Sequence, residues 1–137
     1  NPPGDVADQV AGLLGLALNP NTVSSTGSSI LKRINTILRT RFEEPSLSPA
    51  DIAQEVGISK RYLHQLIANT DTTFSTLLRS LRINHSKKLL ANARNQHLSV
   101  TQIAMSCGFS DAGHFTRVFK KSVGQTPSLY RREMLER

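Results

Sequence analysis

The chain has 137 residues, enough for one small domain or two very small ones, and 38% of them are hydrophobic. Its formal net charge is +7, and all 17 lysine and arginine residues follow position 31, which favours a nucleic-acid partner but is weak evidence alone. No apolar run approaches the roughly 20 residues that span a bilayer, and no signal peptide is visible. With a single cysteine, Cys107, the composition excludes a disulfide scaffold and fits a cytoplasmic protein.

The first 29 residues differ in character from the rest. Residues 5–18 predict a short amphipathic helix, because their valines and leucines recur at helical spacing. Residues 19–29 form an uncharged run rich in Asn, Ser, Thr, Pro and Gly, which predicts a linker. Since the chain begins with Asn1 rather than Met, we expect residues 1–29 to be the end of a longer N-terminal region and its linker.

From Ile30 to Arg137 the apolar periodicity is helical, and capping residues indicate where helices begin. Ser48-Pro49 and Thr126-Pro127 place a cap before a proline at the first helical position, and Ser99 with Gln102 forms a capping box. Ser59 and Ser110 are the expected caps of two further helices. One long helix is expected between Thr73 and Ala93. We predict an all-α fold of about seven helices, in addition to the short N-terminal helix.

An internal repeat is the strongest signal in the sequence. At an offset of 51 residues, LSPADIAQEVGIS (47–59) matches LSVTQIAMSCGFS (98–110). The identical pairs are Leu47/Leu98, Ser48/Ser99, Ile52/Ile103, Ala53/Ala104, Gly57/Gly108 and Ser59/Ser110. A repeat this close indicates that one supersecondary unit occurs twice.

The repeated residues have a mechanical explanation. The isoleucine anchors a helix to the core, the alanine allows a second helix to cross closely, and the glycine supplies the left-handed backbone that ends the first helix. The serine then begins the next helix. This spacing predicts a helix-turn-helix; the alternative is a plain helical hairpin with no role in DNA binding.

The segment GFSDAGHFTRVFKKSVGQTPSLYRR (108–132) resembles the C-terminal signature of the AraC/XylS family of bacterial transcription regulators. The stretches ISKRYLHQLIA and TTFSTLLRSLRINHSKKLL are similar to the same family, so that the resemblance covers about residues 30–137. Two positions depart from the family pattern: Asp71 replaces a usual glycine after the first recognition helix, and Ser86 replaces a usual alanine in the linking helix.

The resemblance implies a domain organisation and a function. A first helix-turn-helix subdomain would occupy residues 30–72, a linking helix residues 73–95, and a second subdomain residues 96–137. Recognition helices 60–69 and 111–123 would lie in successive major grooves of double-stranded DNA and read its sequence to regulate transcription. The intact protein would contact RNA polymerase, and the missing N-terminal region would bind a small-molecule effector and dimerise.

In the first unit, Leu63, Leu66 and Ile67 form the expected buried stripe. The opposite face carries residues whose side chains, apart from the small alanine, match base edges: Arg61, His64, Gln65 and Ala68. Arginine can bridge guanine O6 and N7, and glutamine can pair with adenine N6 and N7. Lys60 is better placed for a phosphate.

In the second unit, Phe115, Val118 and Phe119 form the expected buried stripe. Several residues of this helix correspond to positions that approach DNA in the family, or lie on the same face as those positions. They are Ala112, Gly113, His114, Thr116, Arg117, Lys120 and Lys121. Because Ala112 and Gly113 discriminate little, we expect this unit to hold position more than it specifies sequence. Arg117 has the alternative of pairing with a neighbouring acid.

Other chemistry finds little support. The four histidines and the cysteine show no metal-ligand spacing, and we expect His85 and His97 to face solvent. No phosphate-cradling glycine loop or nucleophile elbow is present. We therefore predict no enzyme activity, no metal and no cofactor. The alternative function is a non-specific architectural or RNA-binding module.

Overall fold

The computed structural model describes residues 25–137, which contain seven α-helices and no strand. The helices are α1 (Ser25–Arg41), α2 (Pro49–Val56), α3 (Lys60–Ala68), α4 (Phe74–Leu90), α5 (Val100–Ser106), α6 (Ala112–Val123) and α7 (Pro127–Leu135). The prediction of an all-α fold with about seven helices is confirmed, and the expected helix over residues 5–18 lies outside the described residues.

Two helix ends in the first two-thirds of the chain differ from expectation. α1 begins at Ser25, so that residues 25–29, predicted as linker, are helical. α4 ends at Leu90 rather than Ala93, and a short 3₁₀ turn, Ala93–Asn95, follows it. There the Asn92 side chain accepts a hydrogen bond from the Arg94 N–H, which favours a new turn over continued helix.

The described residues fall into two compact units. Unit 1 holds the described residues up to Arg41 together with Ser46–Leu77, and unit 2 holds Phe42–Pro45 and Leu78–Arg137. The boundary in the second half of the chain therefore lies within α4. Each unit contains one copy of the repeat.

In unit 1, α1, α2 and α3 pack on one another. Their buried side chains come from one face of each helix, as the helical periodicity predicted: Ile34, Leu38, Ile52, Ala53, Val56, Leu63, Leu66 and Ile67. α2 begins at a capping box in which the Ser48 side chain and the Asp51 carboxylate satisfy each other's backbone N–H groups.

In unit 2, α6 packs against α5 and α7. One buried cluster joins residues of α4, of α5, of the turn between α5 and α6, and of α6. Its members are Ile83, Leu90, Ile103, Ala104, Cys107, Phe109, Phe115 and Phe119. Ser86 lies fully buried in α4 and donates a hydrogen bond of 2.7 Å to the Ile83 carbonyl. This bond explains how serine is accommodated where the family usually has alanine.

The two turns repeat each other in hydrogen bonding. The Ile58 N–H donates to Ala53 O over 2.9 Å, and 51 residues later the Phe109 N–H donates to Ala104 O over 3.1 Å. The glycines between them have φ of +78° at Gly57 and +98° at Gly108. Both are left-handed, as the repeat predicted, because only this backbone brings the carbonyl and the later N–H together at a helix end.

Asp71 takes the same left-handed backbone without being glycine, with φ of +60°. Its N–H donates to Ala68 O over 3.0 Å, and the Thr70 N–H donates to Ile67 O. Aspartate is one of the few residues other than glycine that visit this region at low cost. The end of α3 therefore keeps its hydrogen bonds despite the substitution.

Arg82 joins the segment Phe42–Pro45 to the rest of unit 2. Its Nε donates to Phe42 O and its Nη2 to Glu44 O, each over 2.8 Å, and its guanidinium lies 6.0 Å from the centre of the Phe109 ring. Partial burial lowers the pKa of Arg82 from its ordinary value. Bonds from a charged donor to two carbonyls are among the stronger kind in proteins.

His85 contacts the same segment, so the expectation that it faces solvent is wrong. Its Nε2 lies 3.1 Å from Glu43 Oε2, and the Phe42 ring meets its imidazole edge-on at 5.3 Å. Nothing in the local helical pattern of α4 could have indicated this contact, because the partner lies some 40 residues earlier in the chain. His97 is exposed, as expected.

The two turn glycines predict different costs for the same substitution. A Cβ on Gly57 would meet nothing within 4 Å, whereas one on Gly108 would lie 2.5 Å from Phe42 O and 2.7 Å from Arg82 Nε. We expect Gly57→Ala to lower the free energy of unfolding by about 1–2 kcal/mol, for backbone strain alone. Gly108→Ala should lower the free energy of unfolding by about 1–3 kcal/mol more than Gly57→Ala does, because the Phe42 carbonyl and the Arg82 side chain must move. Denaturant unfolding of both variants measures this, and equal losses would contradict the close packing at Gly108.

Cys107 generates a second prediction. Its side chain is fully buried, and burial, with a smaller contribution from the Glu43 carboxylate, raises the pKa of the thiol to about 12. The thiolate is the reactive form, so the folded protein should be unreactive toward a thiol reagent at neutral pH. We expect labelling only after addition of denaturant. Labelling of the native protein at the rate of a free thiol would show that the unit 2 core is not closed as described.

Candidate nucleic-acid interface

The exposed face of α3 is the first part of the candidate interface. Ser59 caps the helix, its Oγ accepting the Tyr62 N–H over 3.0 Å. Leu63, Leu66 and Ile67 are buried on one side. The other side exposes the four residues that the sequence predicted there: Arg61, His64, Gln65 and Ala68.

The polar side chains of this face have no partners among the described residues. The side chains of Arg61, His64 and Gln65 make neither a hydrogen bond nor an ion pair within the part of the chain that the structure covers. Their donors and acceptors are therefore open to an external ligand. Lys60, at the first position of α3, is also exposed; the helix dipole disfavours a cation there, so the lysine contributes little to the fold.

In unit 2, α6 begins one residue later than predicted. Asp111, and not Ser110, is the N-cap: its Oδ1 accepts the Gly113 N–H over 2.7 Å and the His114 N–H over 3.2 Å. These two bonds lower the pKa of the Asp111 carboxyl, and the bond from the His114 N–H has the larger effect. The charges of Arg117 and of the His114 side chain lower this pKa further. Serine and aspartate are both good caps, so the sequence alone did not distinguish them.

The candidate residues of α6 are exposed to different degrees. Gly113, His114, Arg117, Lys120 and Lys121 are exposed, whereas Ala112 and Thr116 are half-buried. Thr116 donates its hydroxyl hydrogen to Ala112 O over 3.0 Å, which leaves that group only as an acceptor. Phe115 and Phe119 are fully buried and hold the opposite face of the helix in the core.

The exposed side chains of α6 differ in their surroundings within unit 2. The His114 imidazole meets the Phe109 ring edge-on at 6.0 Å, which restrains the histidine near the turn. Arg117 forms no ion pair with any described residue, so the alternative in which it pairs with a neighbouring acid is not seen. Lys120 and Lys121 lie in the last turn of α6, where the helix dipole favours positive charge.

The described residues lack the grouping of side chains that a metal ion needs. They contain no group of three or more His, Cys, Asp or Glu residues that could hold a metal ion. An open groove in unit 2 is lined by Asn84, Lys87, Lys88, Ala91 and Tyr130; this lining includes no carboxylate, histidine or cysteine. Within residues 25–137, every helix is too short or too polar to cross a membrane.

Comparison with known proteins matches residues 52–133 to a family model described as a helix-turn-helix domain. The transcriptional activator RhaR from Salmonella schwarzengrund is 32% identical over 108 residues, which are 79% of this chain and 37% of the relative. The chain spans little more than a third of the length of the curated relatives that it matches.

Two solved structures share the fold. One is a transcriptional regulator from Chromobacterium violaceum, described as having an AraC-type DNA-binding domain. It is 30% identical, with a TM-score of 0.70 over 81% of this chain and 96% of that one. The other is the DNA-binding domain of AdpA in complex with a target DNA, 20% identical, with a TM-score of 0.64 over 80% of this chain and 93% of that one. At that identity the second likeness concerns the fold alone.

Proposed function

Because the chain belongs to the AraC/XylS family of helix-turn-helix transcription regulators, we propose that it binds double-stranded DNA sequence-specifically and thereby regulates transcription. One observation carries the proposal. Each unit holds a helix, α3 or α6, by a buried apolar stripe and leaves on its other side exposed cationic and polar side chains with unused hydrogen-bonding groups. Such a helix suits the major groove of B-DNA, which is wide enough to admit it.

In this proposal α3 offers more side chains that can bind base edges than α6 does. Arg61 offers two parallel donors for guanine O6 and N7, and Gln65 offers the donor and acceptor that adenine N6 and N7 require. His64 can donate or accept, and Ala68 can contact a thymine methyl. Because none of the three polar groups is engaged within the described residues, binding would break no internal bond.

α6 contributes mainly charge and close approach. Lys120 and Lys121, with Lys60 of unit 1, are suited to phosphates, which position the protein without carrying base information. Ala112 and Gly113 let the helix backbone come near the DNA. The remaining candidate DNA-binding residues of α6 are His114, Thr116 and Arg117. The placement of the two helices in successive grooves stays a prediction.

The rival is a non-specific architectural or RNA-binding module, which the net charge of +7 would also suit. The specific reader and the non-specific module differ in whether side chains bind base edges. A specific reader prefers some duplex sequences strongly, whereas an architectural protein binds many alike.

The intact protein would have further partners. The naming of RhaR as an activator supports RNA polymerase as one of them. A small-molecule effector would bind in a preceding region, outside the described residues. The family is one of regulators and not of enzymes, so we propose no chemistry for this chain, and we place its action in the bacterial cytoplasm.

The first prediction for this function concerns salt. If the basic side chains neutralise about six or more phosphates, affinity for the preferred duplex should fall about a thousandfold or more between 50 and 200 mM salt, because bound counterions are released. Titration by fluorescence anisotropy over a salt series measures the slope. A nearly flat dependence would contradict phosphate binding by these residues.

The second prediction separates base reading from phosphate binding. Arg61→Ala and Gln65→Ala should each cost about 1–3 kcal/mol on the preferred site and relax the preference at one or two base pairs. Lys121→Ala should weaken binding to all sequences about equally. The test is to select the preferred site from a random pool and then titrate its single-base variants with each protein at one salt concentration.

All three substitutions are at exposed positions, so the variants should melt like the parent chain. A sequence-independent loss for Arg61→Ala, equal to that of Lys121→Ala, would remove α3 from base reading through this face. A parent chain that binds every duplex alike would favour the architectural alternative.

A further inference from the structure

The side chains of Asp111, the N-cap of α6, and of Arg117 converge beside Gly113. A Cβ at this position would lie 3.2 Å from Asp111 Oδ1 and 3.5 Å from Arg117 Nη1. Gly113 has no positive φ, so its backbone does not need glycine, and an alanine would favour the helix. A methyl group at this position would be tight against the carboxylate oxygen and in ordinary contact with the guanidinium, so both charged groups lie beside the same residue.

The location of the Arg117 guanidinium is unusual for a cation. Side chains on a helix point back toward its N-terminus, and Arg117, four residues after Gly113, reaches the first turn of α6. The helix dipole makes that end positive and disfavours a guanidinium there. The carboxylate of Asp111 supplies the opposing charge, and the pKa of Asp111 is lowered in part by Arg117.

The carboxylate influences Arg117 without consuming its donors. Asp111 and Arg117 form no ion pair with each other, and both are exposed. Asp111 uses Oδ1 for both backbone hydrogen bonds, and among the described residues its Oδ2 accepts none. The carboxylate therefore attracts the guanidinium toward the first turn while the guanidinium N–H groups stay open to a ligand.

We propose that Asp111 is a positioning residue that directs Arg117 to a guanine in the major groove, so that unit 2 reads sequence as well as holding position. The inference rests on the proposed function. An exposed arginine without such a neighbour is free to bind a phosphate. A carboxylate beside it repels the full negative charge of a phosphate more strongly than the partial charges of guanine O6 and N7, which two parallel guanidinium donors match.

The geometry of helix docking agrees with this assignment. Recognition helices of this motif contact base edges with their N-terminal residues. Arg117 begins in the second turn, yet its guanidinium lies at the first. The small side chain of Ala112 leaves room for the DNA at that end.

The test uses the 137-residue chain, its preferred duplex selected from a random pool, and all single-base variants of that duplex. Asp111→Asn removes the charge and keeps a good cap, since asparagine is as effective an N-cap as aspartate. Arg117→Ala and the double variant complete a cycle. Asp51→Asn is the matched control, because Asp51 is an exposed carboxylate in the first turn of α2 that also accepts a backbone N–H.

We expect Arg117→Ala to lose roughly 10-fold to 100-fold of discrimination at one G·C pair. Asp111→Asn should lose about tenfold at the same pair, and the double variant should lose no more than Arg117→Ala alone, since the two residues act through one contact. Binding to unrelated DNA should rise with Asp111→Asn. Asp51→Asn should leave discrimination unchanged.

Three results would overturn the inference. Asp111→Asn could change affinity for all duplexes by one factor, the two single variants could act at different base pairs, or their losses could add. A parent chain with no sequence preference would instead contradict the proposed function itself, and the inference with it. Thermal melting followed by circular dichroism verifies folding, and Asp111→Ser provides a second uncharged cap if the asparagine variant melts early.

Discussion

A left-handed residue at the end of one helix determines where the next helix begins and which of its side chains face outward. In each unit a glycine with positive φ closes the same pair of backbone hydrogen bonds, and a capping residue follows within three positions. Since a helix turns by about 100° per residue, a start displaced by one residue would rotate the exposed face by more than a quarter turn. The chemistry presented by α3 and α6 therefore depends on backbone conformation at Gly57 and Gly108.

The two turns are alike in backbone and different in surroundings. Gly57 has open space beside it, whereas Gly108 lies against the Phe42 carbonyl and the Arg82 side chain. Arg82 satisfies two carbonyls of a segment with no regular structure, Phe42–Pro45, that could not pair them in a helix. Conformational need alone explains glycine at the first turn, whereas at the second the absence of a side chain also permits close packing.

The candidate interface combines a rigid inner face with an outer face of unused polar groups. Exposed polar groups are hydrated, so leaving them unpaired costs the fold little, and they can exchange water for a ligand. The units differ in how far their side chains are restrained: no described residue engages Arg61, His64 or Gln65, whereas the ring of Phe109 restrains His114 and the carboxylate of Asp111 attracts Arg117. A restrained side chain loses less conformational entropy on binding.

The sequence by itself determined the helical class, the duplicated turn and the exposed faces of α3 and α6, because periodicity, capping and left-handed glycines are local properties that act over a few residues. It did not distinguish Ser110 from Asp111 as the cap, since both side chains suit that position. Only the tertiary structure decided the contacts of Arg82, His85 and Gly108 with Phe42–Pro45, and the convergence of Asp111 and Arg117 over Gly113. The former contacts join residues about 40 or more positions apart. The convergence of Asp111 and Arg117 depends on side-chain rotamers. Neither kind of contact produces a periodic pattern in the sequence.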